Sequence, residues 1–200
     1  MKRLFTADWH VGHHHILQYE KRPFKSAIHM IDQYIARANQ MVKEDDIVYH
    51  VGDFACYGRE RGEEGLRIKA KDILDQLNGT WIMIEGNHDS SNKVKAHADC
   101  LTTTIAKIPT VLSHFPSDIF YDKVAKHHCM IDKNNVELWI CGHVHGKFKY
   151  FFDEKNNILN INVGMDVWNH CLVKETVLIV YVQKLRQMMK EKMLAGELIV

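Results

Sequence analysis

The chain has 200 residues, of which 46% are hydrophobic and 26% are charged, and its formal net charge at neutral pH is +1. These values are typical of one globular domain with one sizeable core, so we expect a single domain over residues 1–200. The balanced charge excludes the overall basic excess usual in binders of nucleic acid or anionic membranes, so any recognition of phosphate must be local.

Short apolar runs predict strands along the whole chain. They are "RLFTAD", "DIVYHVGD", "TWIMIEGN", "TVLSH", "ELWICGH", "ILNINVGMD" and "TVLIVYV". Apolar residues at helical spacing predict helices over 28–42, after a Ser26 cap, over 66–77, before Asn78-Gly79, and over the Met-rich segment 185–193. Helices alternate with strands in the first half and strands dominate the second, which predicts an α/β fold with mixed strand pairing.

The start of the chain becomes polar too early for a signal peptide, and no stretch reaches the roughly 18 to 20 apolar residues that span a membrane. We therefore expect a cytoplasmic protein without a membrane partner. The five cysteines include no CxxC pair, which predicts neither a disulfide framework nor a thiolate zinc site. Histidine is unusually frequent, at 14 residues, and favours a metal or acid–base site because imidazole is the commonest metal ligand.

Polar donors follow five of the predicted strands at the same end. The strand ends read Asp8-Trp9-His10, Gly52-Asp53, Gly86-Asn87-His88-Asp89, Ser113-His114 and Gly142-His143-Val144-His145. Ligands of open α/β sheets bind outside the carboxyl ends of the strands, so we expect these side chains to meet in one crevice. In the D-x-H and H-x-H spacings both side chains lie on one face of an extended segment.

Carboxylate, imidazole and amide donors suit borderline divalent ions such as Mn, Fe, Ni or Zn. The donors are more than one ion can use, which predicts two metal ions that share one carboxylate. The seven predicted donors are Asp8, His10, Asp53, Asn87, His114, His143 and His145.

The five blocks, D-x-H, G-D, G-N-H-[DE], H and G-H-x-H in that order, resemble the signature of the calcineurin-like metallophosphoesterases. The resemblance covers Asp8 to His145 and implies a sandwich of two mixed β-sheets flanked by helices, with two metals at its rim. It implies one metal held by Asp8, His10 and His145, and a second held by Asn87, His114 and His143. It also implies that Asp53 bridges the two metals and that His88 is not a ligand.

The resemblance implies a phosphoesterase, and the hypothesis for its mechanism is that a hydroxide shared by both metals attacks phosphorus directly. His88 is predicted to act as the general acid on the leaving group. Asp89 is predicted either to orient His88 or to cap a helix at "SSNKVKAHA". The "HVGHHHI" opening with the later Arg-Pro-Phe resembles small bacterial and phage phosphoesterases, which implies substrate contact by His13 and Arg22 beside Asn87. The alternative for His13 and Arg22 is hydrogen bonding behind the site and exposure to solvent.

The intervals between the last three blocks leave little room for a cap domain. An open crevice favours a phosphodiester substrate, of nucleotide or nucleic-acid type. A phosphomonoesterase acting on small phosphates is the second hypothesis, and a non-catalytic scaffold of the same fold is the third. The sequence leaves open the native metals, the physiological substrate and a homodimer formed through the Met-rich helix.

Several further residues carry weaker predictions. His50 is expected in the core or behind the site, and the pair His127-His128 on a loop or helix face. Lys147 and Lys149 either contact a polyanionic substrate or belong to an exposed edge strand. Asp166 and Trp168, in "MDVWN", are expected to fix the loop beneath the site.

Overall fold

The protein is described from a computed structural model. The structure describes residues 1–56, 69–120, 131 and 135–194, without the side chain of Met193. The predictions made for Leu66, His127 and His128 lie outside the described residues.

The described residues include nine strands and four α-helices. The strands are β1 (Arg3–Thr6), β2 (Ile47–Val51), β3 (Thr80–Ile84), β4 (Cys100–Ile105), β5 (Ile108–Ser113), β6 (Leu138–Cys141), β7 (Tyr150–Asp153), β8 (Ile158–Asn162) and β9 (Val173–Lys174). The helices are α1 (Ile16–Tyr19), α2 (Ala27–Met41), α3 (Ala70–Leu74) and α4 (Glu175–Leu194). Short 3₁₀ turns occur at Ser90–Asn92, His145–Lys147 and Met165–Val167.

The strands form two mixed sheets. The first sheet has the order β3-β2-β1-β9, in which β1, β2 and β3 are parallel and β9 is antiparallel to β1. The second sheet has the order β4-β5-β6-β8-β7, in which β5, β6 and β8 are parallel and the two edge strands are antiparallel to their neighbours. The predicted α/β fold of two mixed sheets with helices is therefore confirmed.

Alternating side chains on β1 separate two hydrophobic layers. Leu4 packs with the buried faces of α2 and α3, whereas Phe5 points the other way and packs with the second sheet and α4. Both side chains are fully buried. A third apolar cluster, which includes Val111, Trp139 and Phe120, contains further residues of the second sheet. The first sheet thus lies between helices and the second sheet, and its strand ends are held in place from both sides.

Helix α2 forms where the sequence predicts it. Ser26 has extended backbone angles, and its Oγ accepts a hydrogen bond from the backbone N–H of His29 at 3.1 Å, which caps the helix. Met30, Tyr34 and Ala38 recur at a spacing of four residues and form the buried face.

The C-terminal segment differs from its prediction. The run "TVLIVYV", predicted as a strand, is the beginning of α4. Leu178, Val182 and Leu185 are buried at helical spacing between the sheets, while Val177 and Val180 are exposed. The run is mostly β-branched and apolar on every side of the helix, which hid this period from the sequence analysis.

No helix in the described ranges is long and apolar enough to cross a membrane.

Two further expectations need correction. The predicted helix at "SSNKVKAHA" is limited to the 3₁₀ turn Ser90–Asn92, because Lys93 has a left-handed backbone (φ 59°) that ends it. Cys141 and Cys171 are free thiols, but Cys100 at the start of β4 is disulfide-bonded. The cysteine spacing, which predicted no disulfide framework, gave no signal of this bond at Cys100.

Candidate dinuclear metal centre

The seven predicted donors lie in one crevice, where the carboxyl ends of parallel strands from both sheets meet. In the first sheet, the loops after β1, β2 and β3 carry Asp8, His10, Asp53 and Asn87. In the second sheet, the loops after β5 and β6 carry His114, His143 and His145. Asp8, His10, Asp53 and His114 are buried, and Asn87 is exposed. The carboxylates therefore form the floor of the crevice.

One set of donors, which we call the first donor group, consists of Asp8, His10 and His145. One ligand atom from each lies within 4.8 Å of the other two. Asp8 Oδ1 is 4.0 Å from His10 Nε2, and the rings of His10 and His145 stack with centroids 4.9 Å apart. These separations fit a single cation, and the group contains the residues predicted for the first metal.

The second donor group consists of Asn87, His114 and His143. Asn87 Oδ1 lies 3.1 Å from His114 Nε2 and 3.0 Å from His143 Nδ1. Two donors that each bind an ion at about 2.1 Å, at roughly 90 to 110° to each other, are about 3.0 to 3.4 Å apart. The observed spacing therefore fits an ion that contacts all three side chains.

Asp53 faces both donor groups. Its Oδ2 is 3.7 Å from His10 Nε2 in the first group and 3.4 Å from His114 Nε2 in the second. Its Oδ1 accepts the backbone N–H of His88 at 2.9 Å, which fixes the carboxylate plane. Asp53 thus occupies the position expected of a shared ligand.

Two imidazoles test whether the pocket suits cations. Both ring nitrogens of His10 are buried and have no hydrogen-bond partner among the described residues, an arrangement that costs about 1–3 kcal/mol per unsatisfied group. His114 Nδ1 lies 3.1 Å from the carbonyl oxygen of Val51, which can only accept, so Nδ1 carries a proton and Nε2 faces the crevice, where it offers its lone pair when the ring is neutral. Both observations fit a bound metal.

The pKa shifts of the buried side chains in the crevice also favour a bound cation. Burial raises the pKa of Asp8 to about 6. Burial lowers the pKa of His114, but its hydrogen bond and charge interaction with Asp53 outweigh this effect and raise the pKa to about 9. Burial likewise raises the pKa of Asp53, and His114 reverses the shift, so that the net pKa is lowered. Two buried carboxylates therefore draw positive charge into the crevice, as a cation site requires.

Backbone strain is concentrated at the donors. Five of the seven have positive φ angles although none is glycine: Asp8 (58°), His10 (52°), Asp53 (56°), His143 (70°) and His145 (48°). This conformation costs of order 1–3 kcal/mol per residue and clusters at functional sites, where the surrounding structure holds it. The loops are therefore shaped for the positions of their side chains.

Glycines leave space for the donor side chains. A Cβ atom on Gly86 would overlap the backbone N and the Oδ1 atom of Asp53. A Cβ atom on Gly142 would lie 2.8 Å from Asp8 Oδ2. Gly52 needs both space and conformation, because its φ is 83° and a Cβ would overlap His114. At Gly86 and Gly142, glycine is therefore required by the close approach of the backbone to a carboxylate donor.

His88 lies at the mouth of the crevice. Its side chain is 43% exposed, and Nε2 is 3.9 Å from Asp53 Oδ2. Its Nδ1 is 3.7 Å from Cys56 Sγ. Nε2 of His88 can therefore contact a substrate at the edge of the site, while Nδ1 lies beside Cys56.

Asp89 supports the turn, and among the described residues its side chain neither hydrogen-bonds to His88 nor caps a helix. The carboxylate is buried and accepts the backbone N–H groups of Asp53 at 2.8 Å, Phe54 at 2.9 Å and Gly86 at 2.9 Å. Asp89 therefore ties the loop after β2 to the loop after β3.

The two predicted substrate contacts beside Asn87 separate in the structure. His13 is half-buried, with its ring centroid 5.9 Å from that of His10, and burial lowers its pKa. Arg22 is only 4% exposed, and its guanidinium is directed at Asp166, at two backbone carbonyls and at Met30 Sδ. The prediction that Arg22 contacts substrate is therefore corrected, and it belongs behind the site, which was the alternative.

The weaker predictions have clear outcomes. His50 is buried among Trp9, Phe54 and Trp81, and burial lowers its pKa to about 3, so it is a neutral core residue. The Lys149 ammonium lies 3.6 Å from the Trp168 ring centroid, next to the edge strand β7, and so is used in packing.

Sequence reasoning missed Asn162. Its Nδ2 donates to the carbonyl oxygens of His145 at 2.8 Å and Phe148 at 2.9 Å, and its Oδ1 accepts the N–H of Gly164 at 2.7 Å. Asn162 therefore holds the loop that carries His145. The available signal was a fully buried asparagine at the end of the apolar run "ILNIN".

Comparison with known proteins agrees with this geometry. A family model described as the calcineurin-like phosphoesterase superfamily domain matches residues 24–185. The chain belongs to the calcineurin-like phosphoesterase superfamily. The match begins after Asp8 and His10, so the support for these two donors is their position beside the others.

Individual relatives of this phosphoesterase-superfamily protein are distant. An uncharacterized protein of Methanocaldococcus jannaschii is 33% identical over 90 residues, which cover 44% of this chain and 48% of that protein. The chain therefore spans about half the length of this relative. A protein of unknown function from Aquifex aeolicus has the same fold, with a TM-score of 0.65 at 21% identity over 92% of this chain and 98% of that chain. A structure of an archaeal phosphodiesterase is 19% identical over 82% of this chain and 84% of its own, and its TM-score of 0.38 is too low to support an inference about activity.

Proposed function

We propose that this protein is a metal-dependent phosphodiesterase that uses two divalent ions. The observation that supports the proposal is the placement of Asp53 between two donor groups, within 3.7 Å of His10 Nε2 and 3.4 Å of His114 Nε2. The first donor group with Asp53 would hold one ion, and the second donor group with Asp53 would hold the other. The nitrogen and oxygen donors suit Mn, Fe, Ni or Zn.

When bound, two such ions would activate water and neutralise the charge that develops on the transferring phosphoryl group. The chain's own residues supply the rest of the chemistry. Asn87 turns Oδ1 toward the second donor group and offers its amide N–H₂ to a phosphoryl oxygen. His88 Nε2, at the exposed mouth, donates a proton to the departing alkoxide. Asp89 keeps both residues in position by bonding the turn below them.

Aromatic rings at the mouth favour a nucleotide-type diester. The ring of His13 lies 5.9 Å from His10 and 6.0 Å from Tyr19, measured between centroids. Tyr19 is 69% exposed and stacks on His15. Exposed aromatic rings beside a phosphate site suit nucleobases, whose stacking contributes about 1–3 kcal/mol per base. This row of rings supports a diester with a base over a small phosphomonoester.

Hydrolysis assays test the reaction. Protein depleted of metal with a chelator and reloaded with Mn²⁺ is expected to hydrolyse bis-p-nitrophenyl phosphate with a higher kcat/KM than p-nitrophenyl phosphate, and renewed chelation should abolish both activities. Faster turnover of the monoester would replace the proposal with the phosphomonoesterase hypothesis. No hydrolysis by protein that retains two ions would favour the scaffold.

The Tyr19→Ala variant tests the substrate class. For a thymidine dinucleotide we expect KM to rise about tenfold with little change in kcat, because one stacking contact of about 1.4 kcal/mol is lost. For the same diester lacking the base, the variant and the wild type should have equal KM values. Tyr150→Ala, which removes another exposed tyrosine on β7, is the control. An equal rise in KM for the baseless diester would contradict base recognition by Tyr19.

A further inference from the structure

The side-chain N–H groups of Arg22 are all directed at acceptors inside the protein. Its Nε and Nη2 donate to Asp166 Oδ1 and Oδ2 at 2.7 and 2.8 Å, a bidentate pair. The remaining N–H groups point at the carbonyl oxygens of Trp9 at 3.0 Å and Asp8 at 2.8 Å and at Met30 Sδ at 3.5 Å. The guanidinium therefore holds the backbone of the loop after β1, between the two donors that this loop carries.

Asp166 extends the same network to the second sheet. Its Oδ2, which accepts from Arg22, also lies 2.9 Å from His145 Nδ1. A carboxylate at this distance accepts a hydrogen bond from Nδ1–H, so Nε2 of His145 is left with its lone pair free for the first donor group. Arg22 and Asp166 thus touch every member of that group through its backbone loop or its ring.

We propose that Arg22 and Asp166 form a clamp that positions the first metal site and leaves the second unaffected. The clamp joins the loop carrying Asp8 and His10, from the first sheet, to His145 from the second. The inference rests on the proposed metal centre, and it is independent of whether the bound ions catalyse hydrolysis.

The clamp is needed because the loop it holds is strained. Asp8 and His10 have φ angles of 58° and 52°. A loop without these contacts would relax to backbone angles of lower energy. The carbonyl oxygens of Asp8 and Trp9 accept hydrogen bonds from the buried guanidinium of Arg22. Lysine cannot replace this group, because it lacks the planar fork that reaches a carboxylate and two carbonyls at once.

Selectivity follows from the contacts of the second donor group. Among the described hydrogen bonds, none joins Arg22 or Asp166 to the side chain of Asn87, His114 or His143. His114 is oriented by the carbonyl of Val51, and His143 Nδ1 lies against Asn87. The backbone N–H of His143 donates to Asp8 Oδ2 at 3.0 Å, but this bond holds the backbone of the loop after β6 and not the ring of His143. Loss of the clamp is therefore expected to affect one ion of the two.

Metal binding by Arg22→Lys and Asp166→Asn tests the clamp. We expect wild-type apoprotein to take up two Mn²⁺ ions in calorimetric titration. Each variant should bind one ion with wild-type affinity and the other about 10- to 100-fold more weakly, the usual effect of removing the partner of a metal ligand. Electron paramagnetic resonance is then recorded with two equivalents of Mn²⁺ per chain. The wild type should show a magnetically coupled pair of ions, and each variant should show isolated Mn²⁺.

A matched control separates the clamp from a general loss of stability. Arg3→Lys breaks another bidentate pair, between Arg3 and Glu175, at the opposite end of β1. This variant should bind both ions with wild-type affinity. A cooperative thermal unfolding transition of each metal-free variant shows that the variant is folded. If Arg22→Lys does not fold, Asp166→Asn tests the clamp alone, because asparagine keeps the shape of the side chain.

Three results would overturn the clamp: both ions bound normally by the two variants, both ions weakened equally, or the same loss in Arg3→Lys. The double variant should lose no more affinity than the more damaged single variant, because both residues act through one network. Additive losses would mean that Arg22 and Asp166 act separately, which would be a fourth result that overturns the clamp. A wild-type protein that binds no ion would refute the proposed metal centre itself, while one that binds two ions without hydrolysis would refute only the proposed reaction.

Discussion

Asp53→Asn is expected to lower kcat/KM for a phosphodiester by roughly 10³-fold or more, which corresponds to about 4 kcal/mol of transition-state stabilisation. The reason is its position, because Oδ2 faces His10 in one donor group and His114 in the other. An amide oxygen is a neutral and weaker ligand, so metal analysis of the variant should find at most one ion per chain. The amide can still accept the N–H of His88, which preserves the turn.

Asp46→Asn is the matched control for this substitution. Asp46 is also buried and accepts two backbone N–H groups, from Lys2 and Lys43, at the start of β2, at the end of the strand away from the crevice. It should retain both ions and wild-type turnover. An Asp53→Asn protein with two ions and normal kcat/KM would remove Asp53 from the shared position.

His88→Ala should keep both metal ions and lose about 10² to 10⁴ in kcat toward diesters with an alkyl leaving group, the usual contribution of a general acid. The loss should be much smaller with p-nitrophenolate as the leaving group, because this anion departs without being protonated. Steady-state kinetics on the two substrates, together with metal analysis, measures both effects.

His29→Ala removes a histidine from α2, where its ring packs near Phe24, and should leave both rates unchanged. Equal losses by His88→Ala on both substrates, accompanied by loss of metal, would make His88 a ligand or a structural residue. Unchanged rates on both would exclude it from the mechanism.

The sequence predicted the donors because polar residues interrupt apolar strands at one end, a pattern that needs no tertiary information. It predicted α2 for similar local reasons, from the Ser26 cap and the spacing of Ile28, Ile31, Ile35, Ala38 and Val42, although the face that the structure buries is centred on Met30, Tyr34 and Ala38. Where the local signal was ambiguous, as in "TVLIVYV", packing between the two sheets selected a helix.

Strand β4 was missed for a different physical reason. Its side chains include Thr102 and Thr104, which are exposed, so the run lacked an apolar signal. Its hairpin to β5 turns at Ala106 and Lys107, both with positive φ, instead of the Asn-Gly pair that usually marks such a turn.

The role of Arg22 was beyond the reach of sequence patterns. Its carboxylate partner, Asp166, lies 144 positions away, and the pairing depends on how the loop after β1 meets the turn after β8. Sequence analysis identified both residues but could not tell that they bind each other rather than a phosphate.

Each proposed ion takes ligands from both sheets, and this has a consequence for folding. Separating the two layers of the sandwich would require releasing the ions, so their binding free energy adds to the free energy of unfolding, by about 2.7 kcal/mol for one site at a free-ion concentration one hundred times its Kd. Resistance to heat would then rise and fall with the supply of divalent metal. A cell short of that metal would hold a protein that is both idle and easier to degrade.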